Sequence, residues 1–269
     1  MIDSRIGDLR GVVLRMVAAE LLKLISMRST RWCSTLIVAV AVGHALLWAD
    51  LNRLASDHNI SRSAIASQIG LVPGFVLIVI IAVLAATAEY RTGTIHLTLQ
   101  VADNRTAVVL AKAAAVCVLA LLIGEIASWL AYGTAALVHP GGVESITDGA
   151  QLRVVAGSGL IYMVGAAAAV AVGMIVRNTT SAIALIAFYA LIVENFVADI
   201  PAVSSAIQPW MPFTMATQFL LDGGIEASTA LPWLDTAAAL PPWWALLYLT
   251  AIATVLTATA VLVVRKRDT

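Results

Sequence analysis

The sequence predicts an all-α integral membrane protein with six transmembrane helices, and three observations carry that prediction. Hydrophobic residues make up 61% of the 269 residues and charged ones only 12%, against the roughly 25% charged residues of an ordinary soluble domain. The apolar residues fall in six runs, near the ~20 residues that a helix needs to cross a hydrocarbon core of ~30 Å. The lysines and arginines gather in alternate connections between those runs.

The chain opens on a charged lead that includes Arg5, Arg10, Arg15, Glu20, Lys23, Arg28 and Arg31. A secretory signal places a short basic region directly before a short apolar core, so the first run is expected to be a retained span. Within the lead, Leu9, Val12, Val13, Met16 and Val17 recur at helical spacing, with Arg10 and Arg15 off that face. This predicts an amphipathic elbow helix over 8–31, lying along the inner surface. Glu20 and Lys23 stand three residues apart, the spacing at which charges on a helix pair.

The expected spans are 32–48, 69–88, 107–138, 154–176, 181–198 and 243–264. The first is bracketed by Trp32 and Trp48, residues suited to the two interfaces. The third is longer than a crossing requires and lacks proline, so it should tilt or project beyond the bilayer. Between the fifth and sixth, the connection 199–242 holds six of the eight prolines, together with Trp210, Met211, Phe213, Met215, Phe219, Leu220 and Trp233. That is too apolar for an aqueous loop. Short external interfacial or re-entrant helices are expected there, one of them Phe213–Leu221 ending at Gly223-Gly224. The alternative is a compact interfacial loop. All of this forms a single transmembrane domain over 1–269.

Thirteen of the sixteen lysines and arginines lie in the lead, the 89–112 connection, the turn at Arg177 and the tail Arg265-Lys266-Arg267. Only Arg53, Arg62 and Arg153 occupy the other set of connections. The positive-inside rule then places both termini in the cytoplasm of a multi-pass protein of the cell membrane.

Several chemistries are missing. None of the three lysines follows a glycine-rich loop, so the phosphate-cradling pattern of ATP-binding chains is absent. Ala156-Gly157-Ser158-Gly159 looks like a serine-protease loop, but no histidine follows His139 to act as its base. No H-E-x-x-H pattern occurs, and His44, His58, His96 and His139 are scattered. Cys33 and Cys117 lie in apolar runs as packing residues. No catalytic residue, metal site or resident cofactor is expected, and no nucleic-acid partner.

The connection after the second run reads Glu89-Tyr90-Arg91-Thr92-Gly93-Thr94-Ile95-His96-Leu97-Thr98-Leu99, followed by Arg105 and Lys112. This resembles the cytoplasmic coupling segment of type-2 ABC exporter permeases, in which a carboxylate ends the second span and Gly-Thr follows. Glu89, Gly93, Thr94, Arg105 and Lys112 match in identity and spacing, while Ala102 and Asn104 replace the family's usual proline and serine. The segment Glu20–Arg28 is similar to the family's elbow. The resemblance implies a subunit of an ATP-driven exporter whose ATPase activity, ATP and Mg reside on a separate ATP-binding subunit, two copies per complex. It also implies a second permease copy or a related permease beside it in the lipid. Glu20, Lys23, Glu89, Arg91, Gly93, Thr94 and Arg105 would then couple to that ATPase. The residues themselves agree: Thr94–Val101 is long enough for about two helical turns, and Glu89, Arg91 and Arg105 offer charges to a docking groove. An ordinary solvated loop is the plainer alternative.

Glu125 and Glu194 are the acidic residues well inside the runs. A carboxylate facing lipid costs about 2.5–3.5 kcal/mol on insertion scales, so each should face protein or a wet cavity. They are candidates for the translocation path, or else for structural hydrogen bonds. Two other functions compete with an exporter. A proton-coupled secondary transporter would carry protons on Glu125 or Glu194 and survive loss of the ATPase. A non-transporting sensor or immunity subunit would bind a ligand without ATP-dependent flux.

Overall fold

The computed structural model describes residues 2–54, 64–92, 105–138, 145–198, 200–221 and 239–267, and among them it is helical with no strand. In order come α1 (Ile2–Ser26), α2 (Arg28–Leu54), a 3-10 turn (Ala64–Gln68), α3 (Leu71–Thr92), α4 (Arg105–Val138) and α5 (Gly149–Val176). Then follow α6 (Thr179–Phe188), a π-helical turn (Tyr189–Val193), α7 (Glu194–Ala198), α8 (Pro201–Ile207), a 3-10 turn (Gln208–Trp210), α9 (Pro212–Leu221) and α10 (Pro242–Arg267). Helices satisfy their own backbone, which lets them lie in lipid.

Five segments are long and apolar enough to cross a bilayer: Arg28–Leu51, Ala64–Tyr90, Thr106–Val138, Gly149–Val176 and Pro242–Lys266. The chain is a multi-pass helical membrane protein. The fifth expected span differs from expectation, for its apolar helix covers only Thr179–Val193 and is regular only to Phe188. The π turn interrupts it just before Glu194. Asn178 starts it cleanly, its side chain accepting the Ser181 N–H at 3.0 Å.

The elbow also departs from a single helix over 8–31, because α1 stops at Ser26 and α2 restarts at Arg28. At the break, Met27 N–H bonds the Leu24 carbonyl and the Met27 carbonyl accepts the Arg31 N–H. Leu24 is buried and Val17, Leu21 and Met27 pack on the core, whereas Leu14, Leu22 and Ile25 stay exposed. Leu9, Val12 and Val13 lie outside the described side chains.

α5 is the hub, packed against α3, α4, α6, α9 and α10. Small residues permit this, as expected where helices associate without water to expel. A Cβ on Gly124 would come within 2.8 Å of the Gly159 Cα, so the α4 and α5 backbones touch at that point. Ser128 Oγ on α4 donates to the Val155 carbonyl on α5 at 2.7 Å, which adds a polar tie at the same interface. On α10, Thr250, Thr254, Thr257 and Thr259 each return their hydroxyl to the carbonyl four residues back, which satisfies those four hydroxyl hydrogens within the helix.

The two ends of the bundle can be told apart by contacts. Lys23 on α1, Glu89 near the end of α3 and Lys112 near the start of α4 meet at one end. Leu110 lines a groove there with Val261 and Leu262 of α10, so the α10 tail lies toward that end. Arg153 at the start of α5, Phe219 of α9 and Trp243 at the start of α10 meet at the other. Thr179 bonds Thr87 of α3 at 2.6 Å, while Glu194 bonds α9. The segment from Thr179 to Glu194 therefore runs from the first end toward the second.

Candidate functional site

Glu89 lies one turn before the end of α3 and Lys112 two turns into α4, so both stems of the 93–104 connection carry an inward charge. Glu89 Oε1 accepts from Lys112 Nζ at 2.8 Å and from Lys23 Nζ at 2.5 Å. Glu20 completes the group, its carboxylate 3.4 Å from Lys112 and 3.8 Å from Lys23. Two carboxylates and two ammonium groups thus form a neutral cluster joining α1, α3 and α4. The Glu89 and Lys112 side chains are each only 4% exposed, whereas Lys23 is 43% exposed.

Burial pulls the Lys23 pKa down, but the Glu89 hydrogen bond and the charges of Glu20 and Glu89 outweigh it and leave it above the usual lysine value. The ammonium form is therefore the resident one. Inside low-dielectric surroundings such pairs hold only when each charge keeps its partners.

The sequence reading has Glu89 end the second span and offer its charge to a docking groove. The structure instead turns its carboxylate inward onto two lysines, because the apolar α3 can bury an acid only against cations supplied by its neighbours. Glu20 and Lys23 do pair, and both reach beyond their own helix. Arg91 belongs to the last turn of α3 and Arg105 opens α4, with their side chains outside the described ones. Gly93 and Thr94 lie outside the described residues.

Glu125 and Glu194 stand apart from this cluster and from each other. Glu125 accepts the Gly159 backbone N–H at 3.0 Å and bonds the Trp129 side chain. Glu194 is buried and accepts from the N–H groups of Phe213 and Thr214, at 2.9 and 3.1 Å, and from the Thr214 hydroxyl at 3.4 Å. Those are the unpaired donors of the first turn of α9, so Glu194 caps that helix from outside.

Sequence reasoning missed Arg153, counted there only as one of three external charges. Its side chain is buried, donates to the Phe219 carbonyl at 2.7 Å and sits 5.3 Å from the Phe219 ring centroid. In the sequence Arg153 stands one residue before the expected span 154–176, whereas α5 begins at Gly149 and carries it inside the helix, where a cation needs a partner. Arg177 is a milder case. Its φ of 60° ends α5 in the left-handed region, with its N–H on the Gly173 carbonyl at 2.8 Å and its guanidinium 5.3 Å from the centre of the Tyr90 ring.

No protein-family model and no curated protein matches this chain.

Proposed function

We propose that this chain is the membrane-spanning permease subunit of an ATP-driven exporter of the type-2 ABC class, with six spans and both termini in the cytoplasm. It docks a separate ATP-binding subunit, and with a second copy or a related permease it surrounds the translocation path. The observation that carries the reading is the four-charge cluster. Glu89 and Lys112 stand on the two stems of the 93–104 connection and bond each other, while Glu20 and Lys23 tie both stems to α1. A coupling segment has to hand displacement to the spans without flexing, and a buried ionic cluster at its root supplies that stiffness. When the partner ATPases close on ATP and Mg, a push on 93–104 moves α1, α3 and α4 together.

The six-span count draws support from the course of Thr179–Ala198, which leaves α3 at Thr87 and arrives at α9 through Glu194. The proton-carrier reading draws none from Glu125 and Glu194, since each carboxylate is bound to the backbone of a neighbouring helix.

The test is purification from native membranes into lipid nanodiscs. An ATP-binding subunit should accompany the chain and hydrolyse ATP. Arg91→Glu, outside the cluster, should insert normally and lose that subunit. A preparation without any ATP-binding partner, or ATP turnover indifferent to Arg91→Glu, overturns the proposal.

A further inference from the structure

A cavity of about 420 Å³ lies between α3, α5, the α6–π segment, α9 and α10. Its origin is legible along α5, where Gly165, Ala168, Ala169 and Val172 fall at i, i+3, i+4 and i+7 and so share one face. Elsewhere the small residues of α5 let another backbone approach. Here they line a hollow together with the rings of Phe75 and Phe213, whose centroids are 5.9 Å apart. A Cβ on Gly165 would run into the Phe75 ring.

The wall is apolar. Tyr189 carries the one polar side-chain atom among the lining residues, and that hydroxyl is already 3.2 Å from Met211 Sδ. A guest here finds at most the Tyr189 oxygen as a single acceptor, too little to satisfy headgroups, sugars or peptides, which leaves hydrocarbon. The volume lies in the range of ligand cavities, about 300–1,000 Å³. An intruding helix, about 10–12 Å across with its side chains, is too thick for it. Apolar cavities stay dry and accept apolar guests, because an empty one forfeits the dispersion contacts of every lining atom.

The way in is lateral. α6 and α10 both pack on α5 but scarcely on each other. Leu185 on α6 lines the cavity and is still 53% exposed, with the exposed Phe188 one turn further along. On the other side of the gap, Leu256 of α10 lines the cavity next to the exposed Val255. The mouth therefore lies among lipid-facing side chains, not at either end of the bundle. α9 contributes Phe213 and Ala216 to the wall and is fixed at both ends by Glu194 and Arg153, which keeps the hollow from collapsing.

We infer that this cavity is a lateral binding site for one hydrocarbon chain, the acyl chain of a bilayer phospholipid that enters between α6 and α10. The inference needs only a membrane-embedded chain and stands whether or not the protein is an exporter.

The experiment uses the full-length protein in nanodiscs of phosphatidylcholine, a fraction of which carries a diazirine midway along one acyl chain. After photolysis, adducts are mapped residue by residue, with the exposed α4 residues Leu122 and Ile126 as the reference for casual lipid contact. Adducts at Val164, Ala168, Ile252 and Leu256 should exceed that reference several-fold. Ala168→Phe, which fills the hollow, should bring them down to it. Leu185→Trp, a change at an exposed position of the mouth, should do the same without touching the packed interior. Adducts at the α4 reference residues should stay constant in both variants. Cavity labelling no higher than the reference overturns the proposal, whether the hollow is empty or a second copy covers its mouth. So does labelling that persists in both variants.

Discussion

Glu89 shows how burial ranks the members of one ionic group. Its carboxylate touches two lysines, but those lysines differ in what surrounds them. Lys112 is 4% exposed and Lys23 is 43% exposed. Removing one partner of a buried pair strands a charge in low dielectric and costs about 3–5 kcal/mol, whereas exposed pairs contribute about 0–1 kcal/mol. Lys112→Met should therefore lower the stability of the purified protein by about 3 kcal/mol, at the bottom of that range because Lys23 remains. Lys23→Met should lower it by about 1 kcal/mol or less. Thermal unfolding in nanodiscs measures both, and equal losses would show that the two contacts do not differ as their exposure indicates. Glu89 and Lys112 were legible in the sequence as positions, through the spacing of the charged connection. The direction of the carboxylate was not. It depends on Lys23, 66 residues away, and one chain's sequence does not say which helices meet.

At the scale of the element, α9 was foreseen and its anchorage was not. The apolar, proline-rich connection predicted a helix over Phe213–Leu221, and the observed one is Pro212–Leu221. Its first turn holds donors on Glu194 and its last turn an acceptor on Arg153, an anion at the positive end and a cation at the negative end of its dipole. The π turn at Tyr189–Val193 immediately precedes Glu194. It is also the reason that the fifth apolar run is not one regular helix, a detail for which the run of apolar letters 183–193 gives no sign. Hydrogen bonds to charged groups contribute about 1.5–3 kcal/mol, where 1.4 kcal/mol is a factor of ten. Glu194→Ala should thus speed amide exchange across 213–221 by about tenfold or more, and Arg153→Met should act in the same direction. Exchange in the middle of α5 should not change. Uniform acceleration across the bundle would mean that these charges hold the whole fold rather than one helix.

At the scale of the molecule, orientation and span count are separate questions, and the contacts bear on both. α1 reaches the charge cluster through Lys23, and α10 ends toward the same side of the bundle, near Leu110. The start of α2, just past Lys23, and the end of α10 therefore share an end of the bundle. On the proposed six-span topology, the segment from Thr179 to Ala198 is the one that returns the backbone across the bilayer, despite its broken regularity. The Lys/Arg asymmetry assigns the shared end to the cytoplasm on the proposed topology, with thirteen basic residues against three. Single cysteines at Ser145, Thr92 and Thr269, in a background where Cys33 and Cys117 are serine, test both points with a membrane-impermeant maleimide. Position 145, between α4 and α5, should label in intact cells. Positions 92 and 269 should label only after permeabilisation. Labelling of 92 in intact cells reverses the orientation. Labelling of 269 alone would put the tail on the opposite side from the cluster, and the return crossing at Thr179–Ala198 would have to be abandoned.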